Sequence, residues 1–151
     1  MLDAIKAIKA INQSASFNRW AGCEVHQAAD GQAELRMNWR EEDMGQYAGF
    51  LHAGMIAALL DTVSGYAAAT QAGRVLASHF SVNCISPAIG RAFVARGRVV
   101  KAGRKQVFVA AELYAQPEGK GDEALKLVAT GNAILVPVEE IQPKPAAASR
   151  A

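Results

Sequence analysis

Residues 44–73 read MGQYAGFLHAGMIAALLDTVSGYAAATQAG, and within them Asp61 is the one certain charge. From Ala53 onward nearly every residue forms helix readily and no polar face develops. A helix that is apolar all round is one the rest of the molecule buries. The stretch therefore predicts a central helix over 53–71, reached through a loop between Gly49 and Gly54 and swallowed by whatever flanks it.

What flanks it is mostly strand. Upstream, Leu2, Ile5, Ile8 and Ile11 recur at a spacing of three with Lys6, Lys9 and Asn12 between them, which predicts an amphipathic helix over 2–14 lying on a sheet or at a subunit contact. Residues 23–40 shift to a period near two, interrupted by Asp30-Gly31, a hairpin signal. The acidic run from Glu41 to Asp43 should end that sheet segment. Downstream, 76–86, 92–100, 106–115 and 124–136 have strand character, joined by hairpin-length connectors with turn chemistry. The order predicts an α+β fold in which a curved antiparallel sheet of about six strands is wrapped around one long helix. A single domain over 1–140 and a mobile Pro/Ala-rich tail over 141–151 complete the expected organisation.

Composition narrows the function. Sixteen basic against fourteen acidic residues leave a charge of +2, too small to make nucleic acid the default partner. No window has the 18 to 20 uncharged apolar residues of a membrane span, and Asp3, Lys6 and Lys9 interrupt the N-terminus where a secretory signal would be continuous. Cys23 and Cys84 form no C-x-x-C or Cys/His ligand pattern, so neither a disulfide framework nor a metal site is expected and a reducing, cytoplasmic setting fits. Both cysteines read as small core residues, and His26 and His79 as surface or interface residues.

Two features carry chemistry. Asp61 has no Lys or Arg within a helical turn, and a carboxylate in an apolar helix costs several kcal/mol unless it is paired or reaches water. Either it is a general base or nucleophile at the floor of a cleft, or it bonds a strand or faces solvent at a gap in the sheet. At the helix start, the unpaired N–H groups around His52, Ala53 and Gly54 outline an oxyanion hole, though the glycines also permit a tight loop and close packing. Ala53 and Asp61 are eight residues apart, about 12 Å along one helix. Groups acting on one carbonyl must approach to about 3–3.5 Å, so joint action requires two chains. Six basic residues between Arg91 and Lys105 form either a phosphate-binding patch or the solvated face and tip of a hairpin.

The run from Gln46 through His52-Ala53-Gly54 to Asp61, with Pro87-Ala88-Ile89-Gly90 after the next strand and the Lys101-to-Arg104 hairpin beyond, resembles hotdog-fold acyl-CoA thioesterases of the phenylacetic-acid-degradation (PaaI-like) type. The resemblance implies hydrolysis of an acyl- or aryl-CoA to free acid and CoA, with no cofactor beyond the CoA of the substrate and no metal. Asp61 would activate water or attack the thioester carbonyl, the Ala53 N–H would polarise that carbonyl, Gln46 would orient water or substrate, and His52 would shape the turn. Gly54, Ser78 and Arg104 would contact substrate. A homodimer sharing one continuous sheet would be the minimal active unit, with dimers pairing into homotetramers. The family's His-Gly-Gly is His-Ala-Gly here, and Ala53 would be strained if its position required positive φ. Rival readings are a hotdog hydratase or dehydratase, which releases no thiol, and a non-catalytic acyl-CoA-binding protein.

Overall fold

The computed structural model describes residues 2–139; the tail expected at 141–151 lies outside the described residues. Helix α1 (Leu2–Ser14) has the expected bounds, but its repeat of three drifts around a 3.6-residue turn. Ile8 is buried, whereas Ile11 is 50% exposed and Asn12 takes its place on the inner side. A second helix, α2 (Ser16–Ala21), follows directly and closes on Gly22. Six residues are too few for a period to show in the sequence. Strands β1 (Glu24–Ala29) and β2 (Gln32–Asn38) form the expected hairpin, with Asp30 and Gly31 both at positive φ, 52° and 77°. Where the acidic run was expected only to end the sheet, it forms one helical turn, α3 (Glu41–Met44), which buries Met44.

Helix α4 (Ala53–Ala72) runs one residue past the expected end and leads to β3 (Val75–Cys84), β4 (Ala92–Ala102), β5 (Val107–Gln116), a 3-10 turn (Asp122–Ala124) and β6 (Lys126–Pro137). All pairings are antiparallel, in the order β1-β2-β4-β5-β6-β3. The six strands agree with the sequence reading; the link from β3 to β4 is not a hairpin. At about 1.5 Å per residue the 20-residue α4 spans about 30 Å; its last turn meets the β1–β2 turn, where the Gly31 N–H donates to Thr70, and the chain then enters β3 at the other edge of the sheet, beside β6. The following loop then returns it to the middle, where β4 pairs with β2.

The helix is also less enclosed than its composition implies. One side, including Ile56, Leu59, Leu60, Val63 and Ala67, is buried in the core, while Ala57, Ala58, Asp61, Thr62, Gly65 and Ala69 form a half-buried stripe on another. An uninterrupted apolar sequence thus reflects small residues on the second side as well as large ones on the first. Gly97 sets how closely helix and sheet meet: a Cβ there would lie 2.9 Å from the Val63 carbonyl oxygen. The far half of α4 is latched by polar contacts. Asn18 Nδ2 donates to Tyr66 Oη at 2.9 Å, Tyr66 Oη donates to Asn12 Oδ1 at 3.0 Å, and the Gly31 N–H donates to Thr70 Oγ1 at 2.8 Å.

Candidate active site

The start of α4 is built by a short loop folded back on itself. Gly45 and Leu51 form an isolated antiparallel bridge, the His52 N–H donates to the Met44 carbonyl at 2.9 Å, and the Leu51 N–H donates to the Ala88 carbonyl at 3.1 Å. Inside the loop the Gln46 side-chain oxygen accepts from the N–H groups of Ala48 and Phe50. Gln46 therefore spends its acceptor on the backbone and retains its amide nitrogen for anything beyond the loop.

His52 is the N-cap of α4, and its Nδ1 accepts from the Gly54 N–H at 2.8 Å. An imidazole whose Nδ1 accepts carries its proton, when neutral, on Nε2. The motif's glycine follows from this cap: a Cβ on Gly54 would lie 2.9 Å from Nδ1 and 3.3 Å from Cε1. The Met55 and Ile56 N–H groups both donate to the His52 carbonyl. Of the four N–H groups that open a helix, the one left without an acceptor among the described residues is that of Ala53. Ala53 is exposed and does not have positive φ, since Asp30 alone does so among the non-glycine residues described. The methyl group that departs from His-Gly-Gly is accommodated without backbone strain.

Two helical turns on, Asp61 is half-buried and its carboxylate has no hydrogen-bond or ion-pair partner among the described residues. Burial pushes its pKa above the ordinary carboxylate value by desolvation. Of the two structural alternatives, a bond to a strand is therefore absent, and the carboxylate faces outward on the half-buried stripe. The sheet beside it ends in β3, an edge strand exposed along most of its length on both faces.

A cleft of about 520 Å³ opens beside the start of α4, between the 46–53 loop and the segment from Cys84 to Ala88. Tyr47 and Phe50 line it. Met55 and Tyr66 are buried elsewhere, and Phe80 projects from the edge strand. Ile56, Ile85 and Ser86 were not anticipated; the signal for them was the Pro87 turn, which brings the end of β3 across the helix start. Cys84 also lines the cleft and is exposed, contrary to its expected place in the core. Its register opposite Ala129 puts it on the inner face, as the alternation predicts, but at an edge strand that face is uncovered. Cys23 is buried as expected, and desolvation pushes its thiol up to about 11.

The remaining site residues are dispersed. Ser78 sits at the β3 bulge, its hydroxyl donating to the Ile134 carbonyl at 3.3 Å. Arg104 is at the β4–β5 tip, the end of the sheet opposite the start of α4 in the same chain. Part of the basic run is neutralised by acids from other elements: Glu34 pairs with both Arg96 and Arg36, and Arg36 also reaches Asp122 at 2.6 Å. His26 and His79 are exposed. A smaller cleft of about 260 Å³, bordered by Arg96, Arg98 and Glu112, includes none of the α4 groups. Among the described residues no three His, Cys, Asp or Glu side chains gather as metal ligands would, and no helix is long and apolar enough to cross a membrane.

The six-stranded antiparallel sheet packed on one long helix is shared with known proteins. The family model described as Thioesterase superfamily matches residues 48–121. A thioesterase family protein from Silicibacter pomeroyi is 30% identical, covering 88% of this chain and 96% of that one with a TM-score of 0.81. The E. coli PaaI protein of the phenylacetic acid degradation operon is 19% identical over 90% of this chain and 94% of its own, TM-score 0.80. A Streptococcus mutans protein bound to acetyl CoA is 19% identical, covering 80% and 91%, TM-score 0.68. No curated protein matches. The chain belongs to the thioesterase superfamily and has its hotdog fold, and the protein is a thioester hydrolase.

Proposed function

We propose that the protein hydrolyses an acyl-CoA thioester to free acid and CoA at a site shared by two chains. The observation that carries this reading is the pair of unsatisfied groups on α4: the Ala53 N–H, which lacks an acceptor, and the Asp61 carboxylate, which lacks a partner. Their separation of about 12 Å on one helix prevents both from serving one carbonyl. The unpaired edge β3 supplies a means of joining two sheets and setting one chain's helix start against the other's carboxylate. The Ala53 N–H would then donate to the thioester carbonyl oxygen as it gains negative charge. Asp61 of the other chain would accept a proton from attacking water, or attack the carbonyl itself to form an acyl–aspartyl anhydride that a water then cleaves to free acid and the restored carboxylate; in either route the C–S bond breaks and CoA leaves as the thiol after taking up a proton. His52 holds the turn through its cap, and the Gln46 amide nitrogen, free of the loop, would orient water or substrate. Ser78 and Arg104 would meet substrate across the interface, Arg104 as a partner for CoA phosphate. The acetyl CoA held by the Streptococcus mutans protein supports CoA as the carrier. Pairing of dimers into tetramers is carried over from the family resemblance, and two free cysteines suit a cytoplasmic setting.

Complementation tests the shared site. Asp61→Asn and Ala53→Pro should each be inactive in thiol release. Refolded together at equal concentration they should recover about a quarter of wild-type activity, since half the dimers are mixed and each has one intact site. No recovery from proteins shown to exchange subunits would refute a site built across two chains. Thiol release also separates hydrolysis from hydration of an unsaturated thioester, which frees no thiol.

A further inference from the structure

We infer that the cleft beside the start of α4 receives the acyl group of the thioester and selects acyl groups that carry no second charge; this assignment rests on the hydrolase reading above. None of the twelve residues lining the cleft is Asp, Glu, Lys or Arg. Its walls include Phe50, Leu51, Ile56, Ile85 and Pro87, with Ile56 only 3% exposed and Ile85 54% exposed. Ile85 thus presents apolar surface on this wall of the cleft. The wall is held firmly, because the Ile85 and Ser86 N–H groups both donate to the Val128 carbonyl on β6.

The same space is bordered by Ala53, whose N–H lacks an acceptor. A carbonyl seated on that N–H sends one of its two arms into the cleft. The CoA arm carries amides and ends in phosphates, which require polar and cationic partners. No Lys or Arg lines the cleft, and the Arg104 that the proposed pairing brings from the other chain is left to meet the CoA phosphates outside it. The acyl arm is therefore the one that fits. A dicarboxylic acyl group would bring its free carboxylate against Ile56 and Ile85 with no Lys or Arg among the lining residues to balance its charge.

The experiment compares matched acyl chains. Thiol release from butyryl-, valeryl- and phenylacetyl-CoA should exceed that from succinyl- and glutaryl-CoA by at least about 30-fold in kcat/KM, the scale of an unpaired charge brought into a half-buried apolar site. Placing a cation at the wall, by Ile85→Arg or, on a fully exposed side chain that folding does not need, Tyr47→Arg, should move the butyryl-to-succinyl ratio at least about 10-fold toward succinyl-CoA, mostly through KM. Ratios within threefold in the wild type, or unmoved by both substitutions, overturn the assignment. If no acyl-CoA yields thiol, the hydrolase reading fails by itself, and the same pairs are compared by equilibrium binding. Tighter binding of butyryl- than succinyl-CoA, narrowed by the arginine variants, then upholds the cleft assignment, and equal affinities overturn it.

Discussion

Replacing Ala53 by proline removes one atom's function and little else. Proline at the first helical position is favourable because its missing N–H is one that the helix does not use. The residue before proline is pushed toward extended backbone, and His52 is already there, with φ −59° and ψ 137°. The Ala53 side chain is exposed, so the ring meets solvent rather than core. Folding stability should therefore change by no more than about 0.5 kcal/mol, which at this chain length is about 2 °C or less in Tm. Loss of a single oxyanion donor costs about 10²–10³ in kcat, or 2.7–4 kcal/mol of transition-state stabilisation. Ala53→Gly, which retains the N–H, should stay within about threefold of wild type on the same reasoning. Thiol release under saturating acyl-CoA and a melting curve of each protein measure both effects. A fully active, normally melting Ala53→Pro variant would eliminate the Ala53 N–H as the group that steadies the carbonyl.

Asp61→Asn should lower turnover by about 10²–10⁴. Because desolvation holds the folded-state pKa of Asp61 above its unfolded value, the native protein binds the proton more tightly, and this group's contribution to stability declines as pH rises between the two values. Asp61→Asn should accordingly melt at or above the wild-type temperature at pH 7, with the difference closing in acid. In the wild type, kcat/KM should fall with decreasing pH around a midpoint higher than that of an exposed aspartate; a midpoint in the ordinary range removes the desolvation argument. His52→Ala should cost about 0.5–2 kcal/mol through the lost cap. Gly54→Ala should destabilise the wild type, where its Cβ meets the imidazole, yet be neutral or stabilising in the His52→Ala background, where only helix propensity remains. Urea titrations of the four proteins measure the cycle, and simple additivity would sink the packing argument.

The parts of the fold that sequence conveyed are those whose cause is local. A positive-φ pair at Asp30-Gly31, alternation in the strands and an unbroken helix-forming run all leave a periodic trace. Non-local pairing leaves none: nothing within residues 75–102 says that β3 pairs with β6 and β4 with β2, because the partners lie in segments far away in sequence. Edge position misled the reading of Cys84 in the same way, since alternation gives the face of a strand but not whether anything covers it. At the site, Asp61 and the helix start were visible as a charge without a partner and a glycine-bounded turn. The cap formed by His52 Nδ1 was not, as it depends on a rotamer, and the acceptor role of Gln46 within its own loop depends on the loop's closure. The Asn12–Asn18–Tyr66 network joins residues up to 54 positions apart that no short window contains.

Under the proposed shared site, the open flank of β3 would also tie catalysis to protein concentration. If each working centre exists only while two chains are zipped together, dilution removes the centres themselves and not merely the number of molecules per volume. Specific rate should then decline on dilution toward the dissociation constant of the pair, and a cell could set its output as steeply by how much of this chain it makes as by how much substrate it supplies.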